Sequence, residues 1–128
     1  MEMSDEEFME LLDKAVDALP SWVHERMDNV AIVMAKEPTR KQRKENEIGD
    51  GETLFGLYEG VPLTERTYDE FRLPDKISIF KDPILAAYHL PEDVATCIEN
   101  TVWHEVAHHF GMSEEEVEEE EIKRGKTM

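Results

Sequence analysis

Apolar residues recur at helical spacing near both ends of the chain and as short runs between them. Phe8, Leu11, Leu12, Ala15, Val16 and Leu19 fall at three- and four-residue intervals with acids opposite. Residues 5 to 18 are therefore predicted to form an amphipathic helix, capped by Ser4 or Asp5, ended by Pro20, with its apolar stripe in the core. The run Val30-Ala31-Ile32-Val33-Met34 is short, rich in branched residues and continuous, as in a buried strand. Leu54 to Tyr58 reads as a second strand, stopped by Gly60 and Pro62, and Ile77 to Phe80 as a third, following Pro74-Asp75 and ending at Asp82-Pro83. Polar Lys36 to Gly51, with its basic cluster Arg40-Lys41-Gln42-Arg43-Lys44, is expected to be a long solvated loop. Leu63 to Leu73 is expected to be an irregular excursion.

Helical periodicity returns at Pro91-Glu92-Asp93, a favourable start with proline and acids in the first turn. On a helix over residues 92 to 110, Val94, Ala95, Ile98, Val102, Val106 and Phe110 share one broad face, while His104 and His108 lie on the other side. Beyond Gly111, Ser113 can cap a final helix, with Glu116 at capping-box spacing, before a frayed tail from Lys123 to Met128.

At 128 residues the chain is predicted to be a single domain able to bury a core without disulfides. Its formal charge of −17, from 31 acids and 14 bases, repels phosphate backbones and anionic lipid, so neither nucleic acid nor membrane is an expected partner. Much of that charge lies in Glu114 to Glu121 and near the N-terminus, which reads as a solubility feature. The lone Cys97, a start without a signal-peptide pattern and the lack of a spanning apolar run of about 18 residues place the expected protein in the cytoplasm. A monomer is expected.

The chemistry-bearing stretch is His104-Glu105-Val106-Ala107-His108-His109-Phe110-Gly111-Met112-Ser113-Glu114, or H-E-x-x-H-x-x-G-x-x-E. One helical turn separates His104 from His108 with only about 40° between them, so both rings can reach one ion, as in half a zinc site. Glu105 projects about 100° from His104, where a general base can hold a water. Gly111 lets the chain turn back, making Glu114 the leading third ligand and Glu115 a weaker candidate. Two histidines, a carboxylate and an open position describe a catalytic zinc site, with Glu105 taking the proton of a metal-activated water that attacks a carbonyl.

Around this stretch, His109 falls in the apolar sector and reads as a hydrogen-bonded histidine of the core or behind the metal ligands rather than as a ligand itself, and Thr101, one turn below His104, as a residue lining the site. Cys97 shares that azimuth roughly 10 Å down the axis, too far to coordinate, and reads as a small buried hydrophobe. His24 and His89 have no ligand-like spacing. Two other readings remain open at this point. One is a non-catalytic, metal-stabilised module whose basic loop or acidic tail meets a partner; the other is a metallohydrolase of the H-x₃-H-x₅-H kind found in RNA processing, which has histidine where this chain has Glu114.

The chain resembles the small bacterial zincin-like metallopeptidases of minimal fold. The likeness rests on residues 8 to 20, Asp28 to Val33, Leu54 to Arg66, Pro74 to Phe80 and Thr101 to Ser113. It implies an α+β fold, a small mixed sheet of about three to four strands packed on the N-terminal helix and the H-E-x-x-H helix, with Leu54 to Tyr58 or its neighbours beside the cleft. It also implies peptide-bond hydrolysis with zinc on His104, His108 and Glu114. That family more usually carries aspartate at the position of Glu114. A methionine turn after the third ligand is not evident in the sequence.

Overall fold

The computed structural model describes residues 1–47, 54–61, 64 and 74–112. In chain order the elements are α1 (Asp5–Asp17), α2 (Ser21–Arg26), β1 (Val30–Ala35), α3 (Arg40–Glu45), β2 (Gly56–Glu59), β3 (Asp75–Phe80), α4 (Lys81–Ala87) and α5 (Pro91–His109). The fold is α+β: a three-stranded mixed sheet in the order β1-β3-β2, with α5 packed against β2, β3 and α1.

β3 holds the centre, pairing in parallel with β1 (Val30 opposite Asp75) and antiparallel with β2 (Gly56 opposite Ile79). All of its residues except Lys76 are buried. Ile77 and Ile79 meet Val94, Ile98, Val102 and Val106 of α5, together with Phe8, Leu12 and Ala15 of α1, in one apolar cluster. α1 forms where its stripe predicts, with Ser4 accepting from the Glu7 amide and Glu7 reciprocating in a capping box.

Several boundaries differ from the sequence expectation. Among the described residues β1 is an edge strand, half-buried with Ala31 exposed, rather than a buried one. Val30, Ile32 and Met34 turn toward the core, and small or branched apolar residues at the alternate positions conceal the period of two. The third strand stops at Phe80, because Asp82 and Pro83 form the first turn of α4, where a missing proline N–H costs nothing and an acid is favoured. The predicted loop contains α3, capped reciprocally by Thr39 and Gln42. Gln42 Nε2 also donates to Glu59 Oε1 at 2.8 Å, fastening α3 to the end of β2.

Among the described residues no helix is long and apolar enough to cross a membrane. Nearly all of the Leu63–Leu73 excursion, the helix expected after Ser113, and Glu114, Glu115 and the acidic tail lie outside the described residues.

Candidate metal centre

The helix that carries the motif is fixed at both ends. Pro91 begins it, followed by Glu92 and Asp93 in the first turn. At the other end Met112 N–H donates to Ala107 O and Gly111 N–H to His108 O, the paired bonds of a Schellman turn, with Gly111 at φ +78°. A Cβ there would lie 2.2 Å from Thr64 Oγ1, so glycine is needed for its conformation and for the close passage of a neighbouring segment.

One turn apart on α5, the His104 and His108 rings have centroids 4.9 Å apart and planes at 74°. Their nitrogens and a Glu105 carboxylate oxygen all lie within 4.8 Å of one another. Both histidines are half-buried and Glu105 is buried. This donor set fits a divalent transition ion: two imidazoles converge, and an acid sits beside them close enough to take part. The third proposed ligand, Glu114, lies outside the described residues, beyond the turn at Gly111.

β2 presses directly on this face. A Cβ on Gly56 would fall 2.5 Å from Thr101 Cγ2 and 3.3 Å from Glu105 Cγ, so the absence of a side chain lets the strand lie against the helix at the level of the acid. Strand and helix enclose a cleft of about 380 Å³ whose lining includes Phe55, Gly56, Tyr88, Cys97, Thr101, His104 and Glu105. Thr101 lines the site as the helical wheel predicts. Cys97 is buried as expected, yet it also reaches the cleft floor. Burial pushes the Cys97 thiol above its usual range, opposed by hydrogen bonds with Thr101 and Tyr88. Tyr88 is raised as well, chiefly by the neighbouring charge that Cys97 carries once ionised.

His109 is wholly buried, and its hydrogen bonds define its tautomer. Nε2 accepts from the Asp28 amide at 3.2 Å, which leaves Nδ1 as the donor to Asp75 Oδ2 at 3.2 Å. Asp75 also accepts from the Tyr58 hydroxyl and from Val61 N–H at 3.3 Å. Gly60 packs so closely on this carboxylate that a Cβ would overlap it. One buried acid thus collects the end of the motif helix, the strand beside the cleft and the turn that follows it. Sequence reasoning found His109 but missed Asp75 and Tyr58; the available signal was an imidazole on an apolar helix face, which requires a buried partner. His24 and His89 are exposed, and neither belongs to the His104-Glu105-His108 cluster.

Comparison with known proteins agrees with this arrangement. A family model described as zincin-like metallopeptidase matches residues 27–124. A solved structure of a conserved hypothetical protein from T. thermophilus superposes with a TM-score of 0.57 at 20% identity, covering 84% of this chain and 94% of the other. The likeness shows a shared fold. No curated protein matches the chain. With the family match spanning most of the sequence and a His-Glu-His cluster on one helix of a small mixed α+β fold, the chain belongs to the zincin-like metallopeptidase family.

Proposed function

We propose that the chain is a zinc-dependent peptidase acting on peptide or protein substrates, with His104, His108 and Glu114 as ligands and Glu105 as general base. The observation that carries this reading is the approach of the His104, Glu105 and His108 donor atoms to within 4.8 Å, at a cleft bordered by a sheet edge. Zinc held there supplies Lewis acidity toward a peptide carbonyl and toward water.

The chain's own residues supply the remaining functions. Glu105 takes a proton from the attacking water and returns it to the departing amine, so one carboxylate serves as base and then acid. Packing against Gly56 holds its stem in place. Among the described residues β2 pairs only with β3, and its other edge is suited to adding an extended peptide as a further strand. The acidic charge of the chain supports a peptide rather than a nucleic-acid substrate.

Elemental analysis of the purified chain and of His104→Ala, His108→Ala and Glu114→Ala tests the ligand set. The expected result is about one zinc ion per chain in the wild type and loss of it in each variant. Retention of zinc by Glu114→Ala would transfer the third position to another residue, and retention by both histidine variants would remove the metal site altogether.

A further inference from the structure

From the attachment of α3 to the end of β2, we infer that the exposed cations of this helix form an exosite for acidic side chains of the peptide substrate, a few residues from the bond that is cut. The inference rests on the peptidase reading and deepens it, adding a charge preference at a distance from the metal. In a chain of net charge −17, residues 36 to 47 carry five cations and three acids, so this stretch is positive against the sign of the whole. Gln42 is the buried side of α3, and on the helical wheel Lys41 and Arg43 lie on its two flanks with Arg40 and Lys44 on the outer ridge. Cations therefore ring the helix everywhere except where it meets the sheet. Arg40 and Lys44 are exposed, one turn apart and without an ion pair among the described residues, and like charges at this spacing repel. The acids close by are already placed: Glu45 lies 3.8 Å from Lys41, Glu59 accepts from Gln42, and Glu37 and Glu47 stand beyond the two ends of the helix.

The strand sets where these charges meet a substrate. Six residues make a marginal helix alone, but the Thr39–Gln42 capping box and the bond from Gln42 to Glu59 fix α3, and its cations, to the sheet. Gly56 and Tyr58 face α5, where they meet Thr101 and His109. By alternation Leu57 and Glu59 face the other side of the sheet, the side that carries α3 and the exposed Lys76 opposite Glu59 on β3. Gly56 packs on the Glu105 stem, and Glu59 follows three residues, about 10 Å, along the strand. A peptide paired with the edge of β2 that is open among the described residues repeats this alternation. Its side chain opposite Gly56 turns toward Glu105, and the one opposite Glu59 turns to the face of α3 and Lys76. An aspartate or glutamate there meets cations that the rest of this acidic chain does not neutralise, whereas a lysine or arginine is repelled.

Two measurements on the zinc-loaded full chain test the exosite. In a peptide-library digest the wild type is expected to favour aspartate and glutamate over glutamine and lysine roughly two to four residues to one side of the cut. For a cleaved peptide with glutamate there, kcat/KM should exceed that of the glutamine version by at least about threefold, the effect of a few exposed ion pairs, through KM rather than kcat. Raising the ionic strength from about 0.01 M to about 0.15 M, which shortens the screening length from about 30 to about 8 Å, should bring that ratio toward one. The triple variant Arg40→Gln, Lys41→Gln, Lys44→Gln should lose the preference while cutting the glutamine peptide as the wild type does. Lys76→Gln, which leaves α3 untouched, should lose part of it. The second measurement needs no turnover: fluorescence anisotropy of labelled hexaglutamate at low salt, with hexaglutamine as control, should show binding at least about threefold weaker in the triple variant. A glutamate-to-glutamine ratio unchanged in both variants, or equal hexaglutamate affinity in wild type and triple variant, would overturn the exosite and leave the peptidase standing. A wild type that cuts no peptide of the library would overturn the reading on which it rests.

Discussion

His109 Nδ1 lies 3.2 Å from Asp75 Oδ2, and neither side chain has any exposed surface. The pair joins the residue after His108 to the central strand, and Tyr58 brings the neighbouring edge strand to the same carboxylate. The motif helix and β2 are therefore held in mutual register by one acid beneath the proposed site.

Asp75→Asn keeps the volume but sets an amide among donors that need an acceptor. Hydrogen bonds to a charged group are worth roughly 1.5–3 kcal/mol each, so a loss of at least about 3 kcal/mol of stability is expected from three donors. Chemical denaturation measures it. A change below about 1 kcal/mol would mean that the buried carboxylate is not what ties these elements together.

Gly56 supplies a second test, because the contact that excludes a side chain there is specific. Gly56→Ala places its methyl against Thr101 Cγ2 and should lower stability by about 1–3 kcal/mol, as overpacking does, while pushing β2 off the Glu105 stem. Thr101→Ser removes the offending methyl, and the double variant should recover a substantial part of the loss. Strict additivity in a thermal-unfolding cycle would show that the two residues do not meet.

These contacts mark the boundary of what the sequence discloses. The histidine pair, the Gly111 turn, the burial of His109 and the α1 stripe are all legible, because each depends on spacing within one helix. The partners of Asp75 and the requirement for Gly56 are not, since they arise where β2, β3 and α5 meet across stretches distant in the chain. β1 misleads for a related reason: Ala31, Val33 and Ala35 make an edge strand look continuous. α3 is hidden although Thr39 and Gln42 carry a capping-box spacing, because the run of basic residues around Gln42 suggests a solvated loop. Glu114 remains a sequence proposal, outside the described residues.

Cys97 gives the account a pH signature. Its thiol is raised by burial, so the unfolded chain releases this proton at a lower pH than the folded chain does. The folded state then binds more protons, and stability should fall as pH rises from the ordinary thiol range through the elevated folded value. Cys97→Ala should remove that part of the alkaline slope, measured by urea midpoints at stepped pH. Alkylation of the folded wild type should likewise reach its half-maximal rate at a higher pH than in urea. Coincident profiles would show that the thiol is not shielded from water at the cleft floor.

The most direct test of the central claim is a peptide-library digest by wild type and Glu105→Gln loaded with equal amounts of zinc. Glutamine preserves shape but cannot accept and return the proton, so the account predicts cleavage by the wild type and a fall of at least about 100-fold in the variant, with zinc content unchanged. Equal cleavage by the two proteins would contradict the role given to Glu105. A wild type that holds zinc yet cuts no peptide, with every other measurable function unchanged in Glu105→Gln, would contradict the peptidase itself and leave a metal-stabilised binding module.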